Sequence, residues 1–127
     1  MKTRYTVALS MIAGGALGAA AIQGLHAQAK PKAYLVTESE VLDRAALDTY
    51  FPQVRTAVKP AGGNLDFVVA SEKIVALVGD APKRIGVSEW ESMEKAQAWY
   101  NSPERKALAA QRDKAQKITR QFIVEGK

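Results

Sequence analysis

Three stretches of this chain place apolar residues at consecutive positions: Phe67-Val68-Val69-Ala70, Ile74 to Val78 and Phe122-Ile123-Val124. Side chains alternate sides along a strand, so a strand that is apolar at every position asks for cover on both faces of its sheet. Two helices from one short chain can roof only one face. The bare second face would expose on the order of several hundred Å² of apolar surface, more than soluble monomers usually tolerate. The pattern therefore predicts a second copy over that face, in the symmetric pair that is the commonest closed assembly. The competing way to cover it is an extra hairpin folded over its own sheet.

The order of elements follows from local patterning. Ala33 to Val41 (AYLVTESEV) starts apolar and ends alternating, as a strand whose far end meets water does. Asp43 reads as an N-cap of a helix in which Leu47, Tyr50, Val54 and Ala57/Val58 recur on one face, with Pro52 predicting a kink or restart. Lys59-Pro60 and Gly62-Gly63 end it. Asn64 to Ala70 and Lys73 to Gly79 are β-rich runs parted by Ser71-Glu72, which predicts a hairpin. Arg84 to Trp90 is a further strand. Ser92 caps a second helix with Met93, Ala96 and Trp99/Tyr100 on one side, Ser102-Pro103-Glu104 restarts it, and Ile118 to Glu125 closes the chain as a strand. The sum is an α+β fold, a β-α-β-β-α-β ferredoxin-like sandwich with an extra β-hairpin.

Residues 1–29 read as an export signal: basic Lys2 and Arg4, an apolar stretch from Val7 to Ile22, and Ala27-Gln28-Ala29 as a small-x-small cleavage site. An uncleaved anchor is the alternative, but the stretch is short and diluted by Gly14, Gly15, Gly18 and Gly24. The expectation is a periplasmic or secreted protein of residues 30–127, one domain, with no stable membrane anchor after cleavage. No cysteine is present, so packing rather than disulfides must hold that domain together.

The only histidine, His26, lies in the signal. A thiolate nucleophile, an imidazole base and the usual His/Cys metal site are therefore all missing from residues 30–127. No metal and no cofactor is expected. Sixteen of the 18 basic residues and all 13 acidic ones lie beyond residue 29, so the exported part is only weakly basic. Arg105, Lys106, Arg112, Lys114 and Lys117 have no aromatics between them and read as a solvated helix face rather than a nucleic-acid surface. Glu38 and Glu40 share a strand side, but without a third ligand they read as a solvated strand end.

Several segments resemble the family of domain of unknown function 1330, within the dimeric α+β barrel superfamily. They are Lys32-Ala33-Tyr34-Leu35-Val36, Ala61-Gly62-Gly63, Gly79-Asp80-Ala81-Pro82, Arg84 to Glu91, Ser92-Met93-Glu94 and Ala98-Trp99-Tyr100-Asn101-Ser102-Pro103-Glu104. The chain departs from that pattern at Trp90, where phenylalanine is expected, and at Arg105, where a tyrosine often stands. The resemblance implies ferredoxin-like protomers paired sheet to sheet and no established reaction. Wider relatives include cofactor-free monooxygenases and small-lactone isomerases, and fold analogy of that kind is weak warrant for function.

Among residues able to do chemistry, Glu89 beside Trp90 is a candidate base if it points into an apolar interior, and Tyr34 a candidate acid or ligand donor. Arg84 can clamp an anion, while Trp90 and Tyr100 can line a pocket. The reading that follows is an exported homodimer binding a small apolar or aromatic ligand. Its alternative is a cofactor-independent monooxygenase or isomerase, with Glu89 or Tyr34 working in a pocket between sheet and helices.

Overall fold

The computed structural model describes residues 30–127, and the expected export signal lies outside them. Strand β1 (Ala33–Val41) leads to helix α1 (Arg44–Val58) and a 3-10 turn (Lys59–Ala61). Then come β2 (Gly63–Ser71), β3 (Arg84–Trp90), α2 (Met93–Tyr100), α3 (Pro103–Ala107), α4 (Ala109–Ala115) and β4 (Gln116–Glu125). The four strands form one sheet in the order β2-β3-β1-β4, with each neighbouring pair antiparallel. This is the split β-α-β arrangement of a ferredoxin-like fold.

Helices α1, α2 and α3 start where a side chain satisfies free backbone donors. Asp43 Oδ1 accepts from the Ala46 N–H at 3.1 Å, Ser92 Oγ from Lys95 at 3.2 Å and Ser102 Oγ from Arg105 at 3.2 Å. Helix α1 buries Leu47, Tyr50, Val54 and Val58 against the sheet, the 3.6-residue stripe its sequence carries. Of the kink or restart expected at Pro52, no restart occurs, and one helix runs through it. Pro52 and Asp48, whose carbonyl loses its donor there, are both exposed, so water can replace the missing bond.

The hairpin expected from Lys73 to Gly79 does not form; β2 pairs directly with β3, Val69 opposite Val87 and Ser71 opposite Ile85. Folding the run back on β2 would need a two-residue turn at Ser71-Glu72, and neither residue suits the positive-φ positions of such turns. Instead Ser71 Oγ accepts from the Lys73 N–H at 2.9 Å and turns the chain into a loop. Val75, Leu77 and Val78 consequently stand 82 %, 92 % and 96 % exposed.

The helices cover one face of the sheet. Ala33, Leu35, Leu65, Trp90 and Ile123 point into that core. On β3 the alternate residues Ile85, Val87 and Glu89 face the other way, opposite Glu38, Val36 and Tyr34 of β1, which in turn face Arg120, Phe122 and Val124 of β4. Among the described residues no helix covers this second face, and Val69, Phe122 and Val124 are more than two-fifths exposed on it.

Candidate functional site

A cavity of about 70 Å³ lies between the sheet and the helices. One water occupies about 10–15 Å³ of such space, so there is room for a small ligand. One end is apolar. Val54 and Val58 of α1, Leu65 of β2 and the stacked pair Trp90 and Trp99, with centroids 6.2 Å apart, wall it. The Trp90 indole N–H donates to Ser88 Oγ at 3.1 Å, which fixes the ring.

Close backbone approach makes room for that ring. A Cβ on Gly63 would come within 2.6 Å of the Trp90 six-membered ring, so only glycine fits beneath it. Its neighbour Gly62 has φ +92°, the left-handed conformation that ends the helical segment. The Gly62-Gly63 pair thus does two things: one reverses the chain and the other admits the tryptophan.

The other end is cationic and polar. Arg105, Arg112, Gln116, Gln121 and Thr37 line it, and Arg84 with Phe51 and Phe67 forms the adjoining wall. Arg84 lies 5.4 Å from the Phe51 ring centroid, and burial pushes its pKa down. Burial first, and the nearby Arg112 charge second, do the same to Arg105. The Tyr50 phenol, in the same wall, is raised by burial against the opposing pull of Arg112 and Arg105.

The sequence-expected residues divide between the two faces of the sheet. Arg84 and Trp90 line the helix-side cavity. Glu89 and Tyr34 do not: they sit opposite one another on the uncovered face, Tyr34 Oη 3.5 Å from Glu89 Oε2. A pocket between sheet and helices served by Glu89 or Tyr34 is therefore ruled out by strand alternation, since Ser88 and Trp90 already take the inward positions on either side of Glu89. Tyr100 is 43 % exposed on the outside of α2, with the Arg105 guanidinium over its ring at 4.0 Å. Glu38 and Glu40 each hold a cation of the chain, Arg120 at 2.7 Å and Lys83 at 2.9 Å.

Charge alone predicts Arg105 and Arg112 in solvent; they are instead part of the cavity wall. The signal was present in their spacing. Arg105, Leu108, Arg112 and Ala115 recur at intervals of three and four, so both arginines ride the apolar stripe that packs Leu108 and Ala115 inward. Among the described residues no helix is long and apolar enough to cross a membrane.

Residues 32–127 match the family model described as domain of unknown function (DUF1330). No curated protein matches the chain. Its fold is similar to the crystal structure of a protein of unknown function from Rhodopseudomonas palustris. That match has a TM-score of 0.60 and 12 % identity, and covers 84 % of this chain and 92 % of that one. The methylated form of that protein superposes with a TM-score of 0.58, also at 12 % identity, over 84 % and 90 % of the two chains. A putative antibiotic biosynthesis monooxygenase from Chloroflexus aurantiacus matches at a TM-score of 0.42 and 20 % identity, over 76 % of this chain and 93 % of its own.

Proposed function

The chain belongs to the family of domain of unknown function 1330, and from that premise we propose that it is an exported homodimer that binds a small apolar or aromatic molecule between its sheet and its helices. The observation that carries the binding is the cavity itself, walled by Phe51, Phe67, Trp90 and Trp99 and reached by a few polar groups at one end. That division, apolar walls with sparse oriented donors, is the usual character of a small-molecule site.

Pairing is supported by the uncovered sheet face. Four strands about 4.8 Å apart, taken only over the 7 residues of the shortest at about 3.3 Å each, span roughly 450 Å² in projection. A standard interface buries about 800 Å² per partner. Val75, Leu77 and Val78, on the loop that follows β2, are further apolar surface available to it. A second copy can lay the same apolar patch of Val36, Val87, Phe122 and Val124 against its own counterpart, with Arg120 already paired to Glu38 beside it.

A melting screen of the purified protein against small aromatic and aliphatic compounds tests the binding. At least one compound should raise the midpoint, and Val54→Trp, which fills the cavity, should remove the shift. A set of hits unaffected by Val54→Trp would place binding elsewhere and overturn the reading. Light scattering at micromolar concentration tests the pairing, and a particle of one chain's mass would refute it.

A further inference from the structure

A purely apolar ligand leaves the cationic end of the cavity without a purpose. Arg112 has a side chain only 14 % exposed. Its Nε meets Asp113 Oδ1 at 3.2 Å, a carboxylate that itself stands in water, while its Nη1 is buried with no partner. Arg105, seven residues earlier on the same stripe, is half-buried and touches only neutral groups: the Tyr100 ring and carbonyl and Gln121 Oε1, the last two at 3.5 Å. No carboxylate among the described residues pairs with it. The Gln116 amide oxygen is likewise buried and unpartnered, and a half-turn of that amide would offer its N–H groups instead.

Two guanidiniums sharing one low-dielectric wall repel one another, and an unpartnered buried donor loses its hydration without return. Stability alone would favour apolar residues at both positions, as Leu108 and Ala115 show on the same stripe. The arrangement is favourable once an anion enters between them. Planar guanidinium forks match a carboxylate in both shape and charge. We propose that the cavity takes a small monocarboxylate with an aromatic or branched apolar body. Its carboxylate lies on Arg112 and Arg105, and its body lies among Phe51, Phe67 and Trp90. This rests on the cavity being the ligand site and narrows what that ligand is.

Calorimetric titration of the purified protein with benzoate, with its neutral isostere benzamide and with inorganic phosphate tests the assignment. Benzoate should bind about tenfold or more tighter than benzamide, the factor a charge-assisted bond to a desolvated guanidinium supplies. Arg112→Gln should abolish that preference, lowering benzoate affinity about tenfold more than it lowers that of benzamide. Arg105→Gln reads the same loss of preference should Arg112→Gln fail to fold. Equal affinity for benzoate and benzamide, or phosphate binding as well as benzoate, would overturn the carboxylate assignment and leave the cavity a ligand site of other chemistry. Binding of neither aromatic compound would overturn the carboxylate and the cavity reading together.

Discussion

Gly63→Ala should be among the most damaging single-methyl additions in this chain. The new Cβ would stand 2.6 Å from two carbons of the Trp90 six-membered ring and 2.8 Å from a third, where ordinary carbon contacts begin near 3.5 Å. The ring is held in place: it is 1 % exposed, stacked on Trp99 and tethered through its indole N–H to Ser88. Overpacking of a filled core costs about 1–3 kcal/mol, a sizeable share of the roughly 5–15 kcal/mol that holds a domain folded. Urea unfolding should show the midpoint fall with the slope unchanged. The cause can be isolated by a double-mutant cycle with Trp90→Phe, because a phenyl ring does not reach the space the indole's second ring fills. Trp90→Phe alone leaves a void and costs stability, yet Gly63→Ala should be nearly free in that background. If Gly63→Ala costs the same with phenylalanine at 90 as with tryptophan, the close approach is not what requires glycine.

Three further outcomes follow from particular contacts. Val87→Lys puts a charge at the centre of the uncovered sheet face and should convert the proposed pair to single chains in light scattering without altering the far-ultraviolet spectrum. Ser92→Ala removes the oxygen that accepts from Lys95 at the start of α2 and should cost about 1 kcal/mol in urea unfolding; no change would mean water caps that helix equally well. Burial raises the Tyr50 phenol in the folded state, so its contribution is complete below the unfolded value near pH 10 and is lost as the pH rises through the folded one. Wild type should lose stability faster than Tyr50→Phe above about pH 10, and parallel curves would refute it.

Most of the backbone plan was readable because each boundary has a local cause. Asp43, Ser92 and Ser102 cap the helices they precede, and Leu47, Tyr50, Val54 and Val58 form the stripe that faces the sheet. The failure at Lys73 to Gly79 is equally local. Ile74 to Val78 has the composition of a strand, but strand composition does not supply a partner edge, and Ser71-Glu72 cannot make the tight turn that would deliver one. The site was less legible. Which side of β3 holds Glu89 depends on the strand's register, and a shift of one residue exchanges the faces. Charge sends Arg105 and Arg112 to solvent, whereas their spacing sets them on the inward stripe with Leu108 and Ala115. Even so, the two positions at which the chain departs from the pattern it resembles, Trp90 and Arg105, both line the cavity.

Strand β3 is the wall common to everything proposed for this protein. Its residues Arg84, Gly86, Ser88 and Trp90 face the cavity, while Ile85, Val87 and Glu89 face away. Neither the proposed interface nor the proposed ligand shares a side chain with the other, because alternation assigns each to its own set. Loss of pairing therefore removes no contact to a ligand, and a single chain produced by Val87→Lys should still prefer benzoate to benzamide. If the preference disappears with the pair, the cavity's shape is held by the second copy through β3, and the binding unit is the pair rather than the chain.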